Sequence, residues 1–532
     1  MARPRQATTD SQGGFEFTGL PAGSYRVFVS TNQYAPQYLG MAYGGKRPNG
    51  PGSSDPGQPI QLADGQSFDK AIIALPRGGV ITGRVTDENG DPQVRVEVYT
   101  VFFPAGSPRG MRMGSRSQTD DLGQFRIYGL QPGEHAVVAE AMRFNFVQPN
   151  APPETEDDKI GFVTTYYPGT TDEGAAQRVR ARIGAETPGI EIRLAQSRLY
   201  RISGNVVDSQ GRALGRVDGQ LMRRGSAVAG GGYSNFGFST DEQGQFQMRN
   251  VPSGNYRVII RQTRPYTPGP QTDPGEMASV PLTIAGADID NVLVMTTPGV
   301  TITGQVAFEQ GPPSAMPPQM RVIATAGNPD EMSGMQSPQP ALVKPDLTFT
   351  MKGLLGEFML RASAPNQYLK SVMVGSEDVT DSPREFKAND RVTINLTARA
   401  STLEGNVTDA AGASTEAGII LFSEDKASWL FNASRTKRAS VDPNGHFRIT
   451  GLMPGRYLVA AILRDRLAVP ASADTVFFEQ LSKEATSLVL GEDEQRTVDL
   501  KIVTGNGGQQ DAQASIFVTT SPWTSVRRKS RP

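Results

Sequence analysis

Few residue types in this chain can do chemistry: its 532 residues include 2 histidines and no cysteine. A hydrolytic zinc site needs two imidazoles and a carboxylate at close spacing, with one position left open for water. His135 and His446 lie far apart, and neither is followed by a glutamate at helical spacing. Without cysteine there are no disulfides, thiolate ligands or thiol nucleophiles. No catalytic constellation, metal or cofactor is therefore expected.

Carboxylates recur at turns. Asp10, Asp120, Asp241 and Asp442 each open an Asp-x-x-Gly segment, and oxygen donors at turns are the raw material of calcium loops. The competing reading is stronger: an aspartate at a turn start accepts backbone N–H bonds from residues further on and needs no ion. Only Asp120-Asp121 begins to resemble a calcium loop, and Glu154-Thr-Glu156-Asp157-Asp158 reads as a solvated loop.

Aromatic side chains offer a third chemistry, because sugar C–H faces stack on exposed rings flanked by polar groups. Tyr38, Tyr166, Tyr167, Tyr233 and Trp429 are the candidate carbohydrate-binding residues, with Tyr34, Tyr43, Phe236 and Phe431 beside them. Tyr38 and Tyr166 both precede a Gly-rich loop, so a shared structural corner is the alternative. Lysine–asparagine crosslinks are a weaker idea. Lys70 and Lys501 occupy equivalent strands, but Asn291, Asn395 and Arg193 break the pattern in the other units.

These residues hang on a repeat. Thr9-Asp10-Ser-Gln-Gly13-Gly-Phe15-Glu-Phe17-Thr-Gly19-Leu20-Pro-Ala-Gly23-Ser-Tyr25-Arg-Val27 returns as Thr119-Asp120-Asp-Leu-Gly123-Gln-Phe125-Arg-Ile127-Tyr-Gly129-Leu130-Gln-Pro-Gly133-Glu-His135-Ala-Val137. Further copies centre on Gly244 and Phe246, on Phe349 in a degenerate form, and on Gly445 and Phe447. His135 takes the position of Tyr25 and Tyr457, so it reads as an aromatic substitute in a strand. The anchors recur at about the length of one small domain.

Residues two apart share a strand face, so each Phe-x-apolar pair marks a half-buried strand and the glycine before it a tight turn. A Gly-x-Val strand precedes the motif at Gly83, Gly204, Gly304 and Gly405, and an alternating strand such as Ile190-Glu-Ile192-Arg-Leu194 closes the preceding unit. A lone hairpin is marginal in water, so these strands must share a two-sheet core. The 58 glycines and 39 prolines supply turns for many short strands, while 37% hydrophobic residues suffice for several cores.

The expected organisation is a partial unit at 1–77, units at 78–198, 199–298, 299–399 and 400–504, and a disordered tail at 505–532. The first unit has no Gly-x-Val strand before its motif, which points to a late start at Met1 and the loss of any signal peptide. The fourth has Leu347 where glycine is expected and a loop shortened to Gly353-Leu354-Leu355-Gly356, so its turn geometry is in question.

The series Asp-x-x-Gly-x-Phe-x-apolar-x-Gly-Leu-x-x-Gly-x-Tyr-x-Val resembles the carboxypeptidase regulatory-like domain, grouped with transthyretin-like and collagen-adhesin B-type repeats. The resemblance spans about residues 8–504. It implies an all-β, prealbumin-like tandem array of seven-stranded Greek-key β-sandwiches in secreted or surface proteins of bacteria, with a carbohydrate-binding-like fold assignment. The matched positions are turns and core, so the resemblance speaks for fold more than for function.

A net charge of -1 provides no global field toward nucleic acid or anionic lipid, and no apolar run is long enough to span a membrane. The expectation is a non-enzymatic, monomeric, extracellular, cell-surface or periplasmic stalk that binds polysaccharide or a surface protein. The alternative is an accessory region of a larger enzyme or outer-membrane receptor.

Overall fold

A computed structural model describes residues 5–31, 36–50, 55, 57–103, 111–141, 159–224, 236–261, 275–312, 320–327, 337–409, 412–413, 417–430, 433–442, 444–463 and 475–503. The expected all-β architecture is present as successive β-sandwiches. In the second unit, Gly79–Thr86 pairs antiparallel with Gln124–Leu130 on one side and parallel with Glu186–Arg193 on the other. The facing sheet runs Met111–Gln118, Val96–Phe103, Gly133–Ala141, with Thr165–Tyr166 and Arg178–Ala181 along its outer edge.

One register recurs in all four complete units. The glycine of the Gly-x-Val strand lies opposite the anchor phenylalanine in the pairs Gly83–Phe125, Gly204–Phe246, Gly304–Phe349 and Gly405–Phe447. The glycine is demanded by its other neighbour. A Cβ there would lie 1.8 Å from the Ile190 carbonyl oxygen at Gly83, 2.1 Å from that of Val292 at Gly204 and 1.8 Å from that of Val498 at Gly405. The second motif glycine has a different cause. The register slips by one residue between Gly79 and Ile81 and at the equivalent place in each unit, and a residue with positive φ (Gly129 at 72°, Gly353 at 76°, Gly451 at 77°) forms that β-bulge. The third unit uses Asn250 at 61°, asparagine being the next most tolerant residue there.

Each unit closes its own core. Phe125, Ile127 and Leu130 meet Val96, Val98 and Val137 in the second, and Phe349, Met351 and Leu354 meet Val322, Phe358 and Leu360 in the fourth. Burying one such side chain contributes about 2–3 kcal/mol, so the three motif positions supply much of a unit's core. In the fourth unit Leu347 adopts φ 65°. Its carbonyl accepts the Val306 N–H at 2.9 Å, as the Gly123 carbonyl accepts that of Val85 at 2.8 Å. The missing glycine leaves the turn intact and strained. That unit also differs in pairing, since Tyr368–Val374 adds beyond the closing strand Arg391–Thr397.

The units are joined without slack. The strand Gln196–Val207 pairs with Ile160–Phe162 of the second unit up to Arg198, and with Gln245–Pro252 of the third from Leu199 onward. Between the first two units, the Gly78 N–H donates to the Gln37 carbonyl at 2.9 Å, and the Gln131 side chain donates to the Asn49 carbonyl at 3.3 Å. Between the last two, Asp381 accepts from the Arg361 guanidinium at 2.8 Å and from the Ser434 amide and hydroxyl, both at 2.6 Å.

Candidate functional site

The turn aspartates do what local chemistry requires. Oδ1 of Asp10, Asp120, Asp241 and Asp442 each accepts the backbone N–H groups two and four residues ahead, at 2.7–3.0 Å. Those bonds, from His446 and then Asn444, hold the Asp442 carboxyl below its ordinary range. Among the described residues, no group of three or more His, Asp or Glu is placed to hold a metal ion.

Two of the aromatic candidates are corrected by burial. Trp429 is 3% exposed, and its indole N–H donates to the Ser423 carbonyl at 2.8 Å. It packs with Phe422 and with Phe478 of the helix Thr475–Ser482, which covers the outer face of the sheet. Tyr166 is likewise buried, against Val101, Phe103, Ala136 and Val138, and desolvation pushes its hydroxyl well above the ordinary value. Neither ring can offer a face to a sugar. Local sequence pattern hid this, because Trp429 lies beneath the remote helix Thr475–Ser482 and Tyr166 packs on the outward-facing residues of neighbouring strands.

The remaining rings are half-buried. Tyr38 lies under the Arg77 guanidinium, 5.9 Å from its ring centroid, at the joint between the first two units. Tyr43 meets Phe68 edge to face at 5.9 Å, and Tyr167 packs on the second unit's core. Tyr34, Tyr233, Phe431, the acidic stretch at 154–158 and the tail from 505 lie outside the described residues, as does the Phe236 side chain. Lys501 is exposed at the end of a parallel pairing with Thr408, with no asparagine opposite.

One of these segments does line a cavity. Beside Tyr167, an open groove of about 640 Å³ is bounded by Thr86, Pro168, Thr170, Glu191 and Arg193, with Leu194 in its floor. Strand alternation aims Glu191 and Arg193 outward while Ile190, Ile192 and Leu194 enter the core. The opposite wall is a short loop closed by reciprocal backbone bonds between Tyr166 and Thr170, at 2.7 and 2.9 Å. The Arg193 N–H reaches the Pro168 carbonyl at 3.4 Å, and the Leu194 N–H that of Thr86 at 2.8 Å. The groove therefore has a braced backbone and a rim of one carboxylate, one guanidinium and two hydroxyls. Such a rim can hydrogen-bond a polyhydroxylated ligand lying on the Pro168 ring; it has no nucleophile–base pair. Arg193 and Glu191 were legible as outward positions of the Ile190-Glu-Ile192-Arg-Leu194 alternation. Their meeting with residues 168–170 was not.

No family model matches the chain, and no curated protein matches it. Among solved structures, the TIE protein of Bacillus anthracis aligns with 83% of this chain and 76% of its own at 12% identity, TM-score 0.15. A streptococcal ancillary pilin aligns over 57% of this chain and 99% of its own at 11% identity, TM-score 0.18. BcpA, the major pilin subunit of Bacillus cereus, aligns over 80% and 99% at 10% identity, TM-score 0.15. At these scores the matches carry no functional argument.

Proposed function

We propose that the protein is a non-enzymatic, multi-unit stalk of the bacterial surface or periplasm that binds polysaccharide through the groove of its second unit. The observation that carries this reading is the groove itself: a braced, open, polar-rimmed cavity of about 640 Å³ lined by Glu191, Arg193, Thr86 and Thr170. Its size falls in the range of small-ligand sites. The stiff joint through Gln196–Val207 supports the stalk part of the reading, because fixed spacing between units lets weak contacts add by effective concentration.

Retention on a panel of soluble and insoluble polysaccharides tests the proposal, with wild-type chain beside Arg193→Ala and Glu191→Ala. Both side chains are exposed, so neither change disturbs the fold. Binding that drops at least tenfold in either variant supports the groove. Binding unchanged in both, or no binding to any polysaccharide, overturns it.

A further inference from the structure

The groove of the second unit opens onto the outer face of the sheet formed by Gly79–Thr86, Gln124–Leu130 and Glu186–Arg193. While Val85, Phe125 and Ile192 enter the core, Arg84, Arg126 and Arg193 alternate outward, one from each strand. Register fixes how they lie. Arg193 pairs with Thr86, Arg84 stands two residues before Thr86, and Arg126 pairs with Thr82, two residues further back. Neighbouring strands are about 4.8 Å apart and two residues rise about 6.7 Å, so the three Cα atoms form an oblique row with steps of about 8 Å. The row starts at the groove, whose rim includes Arg193.

The fold does not require these side chains. The same register positions hold Asn205, Gln247 and Met295 in the third unit and Gln305, Thr350 and Asn395 in the fourth, and both units build the same three-stranded core of the sheet. Nor do neighbours neutralise them. All three are exposed, and none forms an ion pair with a described residue. Arg84 donates from Nε to the Leu122 carbonyl at 2.9 Å, and the Arg126 guanidinium stands over the Tyr128 ring, 5.9 Å from its centroid. These contacts hold the side chains on the face and leave the Arg84 Nη groups without acceptors among the described residues. On the same three strands the carboxylates are Glu191, beside Arg84 in the pairing, and Glu186, whose Oε1 accepts from the Thr82 hydroxyl at 3.1 Å.

We propose that the groove and this row together bind an anionic polysaccharide, whose carboxylate or sulfate groups meet the guanidiniums while sugar hydroxyls meet Glu191, Thr86 and Thr170. The inference rests on the groove reading and specifies its substrate class. A guanidinium presents two parallel N–H groups to two oxygens of one anionic group, an interaction that a neutral sugar cannot return. A polymer with repeated anionic groups matches a row of cations better than a single small anion does, because exposed pairs are individually weak and add along one chain. The net charge of -1 gives no long-range field, so the preference is set locally by these three side chains.

The test measures binding of the full chain to polygalacturonate beside its methyl ester, and to dextran sulfate beside dextran, two pairs in which the sugar is kept and the charge removed. The charged member of at least one pair should bind about tenfold more tightly, and that binding should weaken as salt is raised. Arg84→Gln and Arg126→Gln, both outside the groove lining, should each weaken it about threefold, whereas Arg216→Gln on the third unit should leave it unchanged. Neutral polymers bound as tightly as charged ones overturn the inference and leave the groove reading standing. Charge-selective binding that is indifferent to Arg84 and Arg126, or that falls equally in Arg216→Gln, places the anion elsewhere on the chain and overturns the inference too. Binding of none of the four polymers overturns both readings.

Discussion

His135 donates from Nε2 to the carbonyl oxygen of Gln131 at 2.8 Å, four residues back. It thereby reproduces the bond that Tyr256 makes to Pro252 at 2.9 Å and Tyr457 to Met453 at 2.8 Å. A carbonyl only accepts, so the proton is on Nε2. Nδ1 is then an acceptor, buried with no hydrogen-bond partner among the described residues. The imidazole closes the same bend as its phenolic counterparts, but it carries a titratable group into the core.

Burial, only partly offset by the Gln131 bond, lowers the His135 pKa from 6.5 to about 4. The unfolded chain takes up this proton near pH 6.5, whereas the folded one resists until about pH 4. This contribution to stability is complete above pH 6.5 and is lost as pH falls toward 4, by about 3 kcal/mol in all. Chemical denaturation of the 78–198 unit at pH 7 and pH 4.5 should show the loss. His135→Tyr, which keeps the bond to Gln131, should remove it, and an unchanged pH dependence in that variant would sink the assignment.

Leu347 holds a left-handed backbone that its branched side chain disfavours by about 1–2 kcal/mol. Leu347→Gly relieves this strain at some cost in unfolded-chain entropy and in partly buried surface. A net gain of about 0.5–1 kcal/mol is expected in urea denaturation. The reverse change, Gly123→Leu, places a side chain where a Cβ already lies 2.5 Å from the Val85 carbonyl oxygen and should destabilise its unit by more than 2 kcal/mol.

Asp381 and Arg361 form an ion pair with side-chain exposures of 11% and 19%, and Asp381 also holds the Ser434 loop of the next unit. Removing the carboxylate strands a largely buried guanidinium, a change that costs about 3–5 kcal/mol. Asp381→Ala should lower the unfolding temperature of the last two units and raise protease cleavage near residues 398–400. Asp381→Glu should recover only part of either effect, because the Ser434 contacts depend on chain length.

Trp429→Ala should act on stability rather than on glycan retention. Removing a buried indole packed by Phe422 and Phe478 costs about 3–5 kcal/mol, which calorimetry of the fifth unit would register. A Trp429→Ala chain of unaltered stability that loses polysaccharide would contradict its place beneath the helix Thr475–Ser482.

What could be read in the sequence is local. The Asp-x-x-Gly turns, the Phe-x-apolar strands and the place of His135 among tyrosines follow from side chains acting on backbone a few residues away, or from a period of two. The groove was half legible: residues 166–169 drew notice as an aromatic corner, while Glu191 and Arg193 drew it only as strand positions. The motif glycine of the Gly-Leu bend was legible as a turn residue but not as a bulge, which requires knowing its partner strand.

By itself, the sequence determined a tandem all-β chain, its repeat length and its core positions, because alternation and turn chemistry need no knowledge of distant segments. Tertiary structure alone decided that Trp429 and Tyr166 are covered and that residues 168–170 meet Glu191 and Arg193. Exposure and adjacency depend on which remote connection folds over a sheet, and no pattern of period two records that.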